Sequence, residues 1–127
     1  MSKEIYLCNK IERLPIYSAE MNDNKDIVPK AGKIWLEIAE SSGKFVEENK
    51  YTSGGILWVQ KLNIDCELSN QEVTDIALVP HIYRLYFSDG SIGIYGSIKI
   101  PVVEPKITGL KNKKQISFER NSLVSEF

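Results

Sequence analysis

The chain has 127 residues and a mass of 14.4 kDa, one domain's worth of material, with about two-thirds of its unfolded surface available for burial. Apolar, charged and aromatic fractions of 43%, 26% and 9% exclude intrinsic disorder, two cysteines exclude a disulfide scaffold, and no apolar run approaches the roughly 18 residues of a membrane helix. The net charge of −1 divides into −4 over residues 1–80 (9 Lys+Arg against 13 Asp+Glu) and +3 over 81–127 (7 against 4). That is a weaker basic excess than a dedicated nucleic-acid binder carries, but it suits head-to-tail complementarity between copies.

Met1-Ser2-Lys3-Glu4 leads into a strand-like segment and not a secretory apolar stretch. Ile5-Tyr6-Leu7 and Ile11 to Tyr17 read as extended, with Pro15 at an edge or irregularity. Residues 1–17 are therefore expected to form an extended N-terminal arm. Met21 to Gly32 is polar and rich in turn formers, which predicts a loop of about ten residues. Ile34, Leu36 and Ile38 alternate with Trp35 and Glu37, a strand pattern. Glu40 to Gly55 reads as a polar connection with room for a short strand at Lys44-Phe45-Val46.

The strongest periodicity follows Gly54-Gly55. Ile56, Trp58, Gln60, Leu62, Ile64, Cys66 and Leu68 share one face; Leu57, Val59, Lys61, Asn63, Asp65 and Glu67 share the other. Thirteen alternating residues span roughly 43 Å, far more than the usual strand. Such a strand either bends across two sheets of a barrel or projects beyond the core. The second face turns from apolar to charged, so only its first half is expected to be covered on both sides.

Ser69-Asn70-Gln71-Glu72 is a capping-box sequence. Val73, Ile76 and Ala77 give an apolar stripe and Pro80 stops the helix, which predicts one short α-helix over about residues 70–79. Ile82 to Phe87 then runs into Ser88-Asp89-Gly90-Ser91, a hairpin signal, and returns through Ile92 to Tyr95. Ile98 to Val103 reads as extended with an interruption at Pro101. Lys106-Ile107, the turn Gly109 to Lys114 and Gln115 to Arg120 make a last hairpin with Ile116 and Phe118 inward. Residues 121–127 are a polar tail ending in Phe127. The predicted fold is mainly β: a single antiparallel β-barrel or β-sandwich spanning residues 1–127, with one short helix.

Chemical signatures are sparse. His81 is the sole histidine, and a helix-to-strand junction favours a capping or solvent-exposed ring over a catalytic base. Cys8 and Cys66 belong to no ligand spacing and read as free thiols, with Cys66 inward. Gly43-Lys44 lacks both the earlier glycine and the following hydroxyl of a phosphate loop. Asp65 and Glu67 share a strand face that reads as solvated, not as a cation site. Tyr83 shares its face with Leu85 and Phe87 and is assigned to the core. Tyr86, beside Arg84, is the candidate exposed aromatic. No catalytic residue, metal ligand or cofactor is expected.

Taken in order, the glycine-led long strand (Gly54 to Ile64), the polar-capped helix (Ser69 to Val79), the aromatic strand into an Asp-Gly turn (Arg84 to Gly90), the return strand with Gly96 and Pro101, and the closing strand (Gln115 to Ser122) resemble short β-rich proteins of tailed bacteriophages and prophages of gut Bacteroidetes-type hosts. The resemblance covers the C-terminal two-thirds. It implies a non-enzymatic structural part of the virion, in the neck or tail, present in the host cytoplasm during assembly. It implies a homo-oligomeric ring with neighbouring virion proteins as partners, and it carries no functional residues over. A ring subunit needs sheet edges, loops or terminal arms that neighbours complete. Accordingly the 40–56 segment, or part of Ile56 to Leu68, is expected to project as a loop or hairpin against a neighbour. Phe45, Val46, Tyr51, Leu57, Val59, Tyr86 and Phe127 are the expected interface residues. The alternative is a small β-barrel binding module for a ligand, nucleic acid or peptide, using Trp35, Tyr86 and the Lys111–Lys114 turn; neither a membrane nor, in the main reading, nucleic acid is an expected partner.

Overall fold

In the computed structural model, which describes residues 3–99 and 101–122, the chain from Lys3 to Pro15 is not an arm. It is a thirteen-residue strand, β1, inside a large sheet. A 3-10 turn (Ile16–Ser18) leads to β2 (Ala19–Met21) and β3 (Ile27–Pro29), a small hairpin where a loop was expected. Of the strand expected at 34–38, only β4 (Leu36–Glu37) pairs, against Arg13 and Glu12.

The largest correction concerns the polar connection Glu40 to Gly55. It is the fourteen-residue strand β5 (Ala39–Thr52), turning through Ser53-Gly54 into β6 (Gly55–Glu67). The remaining elements are α1 (Asn70–Leu78), β7 (His81–Phe87), β8 (Ile92–Tyr95), β9 (Lys106–Thr108) and β10 (Lys113–Ser122). Among the described residues, the strand expected at 98–103 reduces to one bridge, Val102 to His81.

Eight strands form one antiparallel sheet in the order β8-β7-β1-β5-β6-β10-β9, with β4 added to β1. From β7 to β10 is four ladder steps, or about 19 Å on a flat sheet. Yet the rings of Tyr83 on β7 and Phe118 on β10 lie 5.0 Å apart. The sheet therefore curls until its two flanks face each other. Phe45 reaches Tyr95 at 5.2 Å and the Arg120 guanidinium lies 5.3 Å from the same ring. Side chains close the seam; among the described residues no backbone ladder joins β8 to β9 or β10, so the barrel is not closed.

The inward face explains the sequence pattern. Gln60, Leu62, Ile64 and Cys66 of β6 are buried with Leu68, while Lys61, Asn63, Asp65 and Glu67 are exposed. In β1 an irregularity between Cys8 and Lys10 shifts the alternation, so that Cys8 before it and Ile11 after it both enter the core. Gly43 lies at the closest approach of three strands: a Cβ there would meet Ile11 Cδ1 at 2.8 Å and the Asn63 carbonyl oxygen at 2.9 Å. Tyr83 is fully buried, as expected. A second cluster of Leu14, Ala19 and Ile82, with Ile27, Trp35, Ile94 and Ile98 packed on it, forms separately from the main core.

Helix α1 packs on the core through Ile76 and Val73, with Leu68 just before it also buried. Its start follows the expected chemistry. The Glu72 N–H donates to Ser69 Oγ (3.2 Å), and the Ser69 N–H donates to Glu72 Oε1 (3.1 Å). Ser69→Ala is expected to lower stability by about 1 kcal/mol, read as a reduced denaturant midpoint with an unchanged slope.

Candidate functional site

The β5–β6 hairpin, among the described residues, reaches past the ladders that flank it. Among the described residues, β1 pairs with β5 no further than Glu48, and β10 with β6 no further than Trp58. Among the described residues, the tip, 50–57, forms ladder pairs only between β5 and β6, and its three β5 residues span about 10 Å. The turn is held by Thr52: the Gly54 N–H donates to its Oγ1, which donates to the Gly55 carbonyl at 2.9 Å. Gly55 has a φ of +120°, strained for any L side chain. Tyr51 and Ile56 are direct cross-strand partners, placing them on one face, and are 73% and 41% exposed.

The expected interface residues divide. Tyr51 is exposed on the tip, and Leu57 is half-buried beside it. Val46 is half-buried opposite Ile5, itself exposed. Phe45 and Val59 are buried and cannot present a surface: Phe45 points into the barrel toward Tyr6 and Tyr95. Tyr86 is half-buried and engaged elsewhere, and Phe127 lies outside the described residues. Ile56 was not among the expected interface residues; its pairing across the turn from Tyr51 places it on the same exposed face.

Tyr86 belongs to a polar cluster away from the tip. Glu12 Oε1 accepts from the Tyr86 hydroxyl (2.6 Å), Arg84 Nε (2.7 Å) and Arg84 Nη2 (2.6 Å). The Arg84 guanidinium lies 4.6 Å from the Trp35 ring and 5.5 Å from the Tyr86 ring, and Lys10 Nζ is 4.9 Å from Tyr86. Burial pushes the Glu12 carboxyl up, but the hydrogen bonds from Tyr86 and Arg84 outweigh it and hold the group below its ordinary value. Both aromatic faces proposed for a binding module therefore already receive cations of this chain.

A third arrangement sits between α1 and the sheet. Asp75 Oδ2 accepts from Arg13 Nη1 at 2.5 Å, and Arg13 Nη1 donates to His81 Nε2 at 2.9 Å. His81 Nδ1 is 2.6 Å from the Val79 carbonyl, to which it can only donate, so Nε2 carries the acceptor lone pair. The ring is neutral and fully buried, which corrects the solvent-exposed expectation, while its bond to the helix C-cap residue Val79 is a form of capping. Burial is the main cause holding this imidazole below its ordinary value; the bond to Val79 opposes it, the Arg13 charge adds to it, and Asp75 opposes it.

The other reactive groups are quiet. Cys8 and Cys66 are free and buried, and burial pushes both thiols up to about 11, far from a thiolate at neutral pH. Glu47 and Gln60 face each other across β5 and β6 inside the barrel, with Gln60 Nε2 donating to Glu47 Oε2 at 3.0 Å. Asp65 and Glu67 are exposed, and Asp65 accepts from Gln115 at 3.3 Å. No group of three or more potential metal ligands converges among the described residues, and none of their helices is long and apolar enough to cross a membrane. No protein-family model, curated protein or solved structure matches this chain.

Proposed function

We propose that the chain is a non-enzymatic structural subunit of a tailed-phage particle, a neck or tail component that assembles into a ring through its β-edges and the β5–β6 hairpin. The observation that carries this reading is the tip: a hairpin turn with two exposed apolar side chains, Tyr51 and Ile56, paired on one face. Exposed apolar side chains on a hairpin invite docking, a sheet edge invites strand addition by another chain, and a heterologous contact closes into a ring when its rotation closes. The main nucleophile and base candidates are otherwise engaged, with both imidazole nitrogens hydrogen-bonded and both thiols raised. The binding-module alternative has less support, because Trp35 and Tyr86 already hold Arg84.

The test shortens the tip without disturbing the barrel. Replacing residues 51–56 by Asn-Gly closes the hairpin at the Lys50–Leu57 pair and keeps every remaining residue on its present face. The wild-type chain is expected to give a solution mass several times 14.4 kDa and to co-purify with density-gradient particles. The shortened chain is expected to keep its far-ultraviolet dichroism, run as a monomer and be lost from particles. A wild-type chain that is monomeric at all concentrations and absent from particles overturns the proposal, as does normal incorporation of the shortened one.

A further inference from the structure

We propose that His81 is an acid-sensitive latch for α1: its protonation breaks the Arg13–Asp75 pair that ties α1 to β1 and releases Arg13 into the groove between them. The inference rests on the Arg13–Asp75–His81 geometry and is independent of the assembly role above.

In the neutral state the ring has no spare position. Nδ1–H is committed to the Val79 carbonyl and Nε2 accepts from Arg13. A proton taken from solvent can add only at Nε2, where it meets the Arg13 N–H at 2.9 Å and sets two cations in contact inside the fold. The nearest anion is Asp75 Oδ2, 3.6 Å from Nε2 and already bound to Arg13. One carboxylate cannot neutralise both cations, so one must leave. His81 is fixed by backbone pairing to Pro15 and to Val102. Arg13 instead has a long side chain at the wall of an open groove of about 490 Å³, lined also by Tyr17, Gln71, Glu72 and Thr74. Glu72 offers it a second carboxylate there.

Of the groups around the ring, the Arg13 charge opposes its protonation and Asp75 favours it. Arg13 faces it from β1 and Asp75 from α1, with Glu72 across the groove. From β7, Tyr83 stacks on the imidazole at 5.9 Å, and burial keeps its phenol protonated. The one bond formed is N–H at Nε2, with its proton taken from hydronium in solvent, which is left as water.

The direction with pH follows from linkage. A histidine depressed in the closed state binds its proton more readily when the latch is open. The closed latch is therefore fully favoured above the ordinary value of 6.5 and loses stability as pH falls through it toward the lower folded value. Glu12, held below the ordinary carboxylate range, contributes its own loss only at more acidic pH.

His81 is the only histidine, so its imidazole nitrogens can be followed by NMR in the intact chain without assignment ambiguity. The ring is expected to be the neutral Nδ1–H tautomer at pH 7.5 and to titrate with a midpoint below 6.5. Over the same range, exchange of the α1 amides, corrected for intrinsic chemistry, is expected to accelerate about tenfold per unit of histidine depression, with β6 core amides unchanged. His81→Asn, which cannot titrate, should abolish the acceleration; should that variant not fold, the wild-type titration and exchange still decide. Constant α1 protection across the imidazole midpoint, a ring already charged at pH 7.5, or β6 amides accelerating in step with α1 would overturn the latch.

Discussion

Phe45→Ala is expected to destabilise the fold by about 3–5 kcal/mol, the range for deleting a buried aromatic ring. Phe45 is wholly inaccessible and touches Tyr6 from β1 and Tyr95 from β8, bridging the middle of the sheet to its far flank. Removing it leaves a void where the curled sheet is held together by side chains alone. The unfolding midpoint in urea reads the loss directly, a large share of the roughly 5–15 kcal/mol that stabilises an ordinary domain. Tyr51→Ala, six residues along the same strand but exposed, is expected to change stability by no more than about 0.5 kcal/mol. A mild Phe45→Ala would mean that the ring does not fill the barrel.

Asp75→Ala is expected to cost about 2–4 kcal/mol, because it leaves the Arg13 guanidinium buried without its carboxylate. Asp75 retains some solvent contact and Arg13 almost none, which places the loss below that of a fully buried pair. The converse substitution is milder. Arg13→Met removes the buried cation and keeps its volume, and combining it with Asp75→Ala should recover most of the loss. Equilibrium unfolding of the two single variants and the double variant forms a mutant cycle, and additive effects would show that the pair is not coupled.

Much of the fold was legible where one face of an element is apolar and the other polar. The β6 strand was placed within one residue, the α1 capping box atom for atom, and the Asp89-Gly90 hairpin by its turn chemistry. The β5 strand was invisible for the converse reason. Its inward row includes Gly43, Phe45 and Glu47, its outward row Ser42, Lys44 and Glu48, so only one large apolar side chain marks the buried face. β1 was hidden by its shifted alternation at Asn9 and by Glu12 and Arg13, which look solvated in sequence but are buried against charges 72 and 62 residues away. The same distance in sequence hides the latch. A lone histidine beside a proline gives no sign of an arginine at position 13 or an aspartate at position 75. For the tip, the length of Ile56 to Leu68 signalled a projecting element, but locating it required β5.

The central position of β1 sets a timetable for the chain's synthesis. The β5–β6 hairpin needs only adjacent residues and can form in about 1–10 μs once both strands are available. β1 must wait for β5 on one side and, on the other, for β7, whose Phe87 pairs with Cys8. At about 5–20 residues per second of translation, several seconds separate the emergence of β1 from that of its second partner. Throughout that interval Ile11 and Leu14 belong to a strand whose β7 edge is unpaired. The first strand made is among the last to be completed, which exposes newborn chains to mispairing with one another and places the slow step of folding at the junction of β1 with β7.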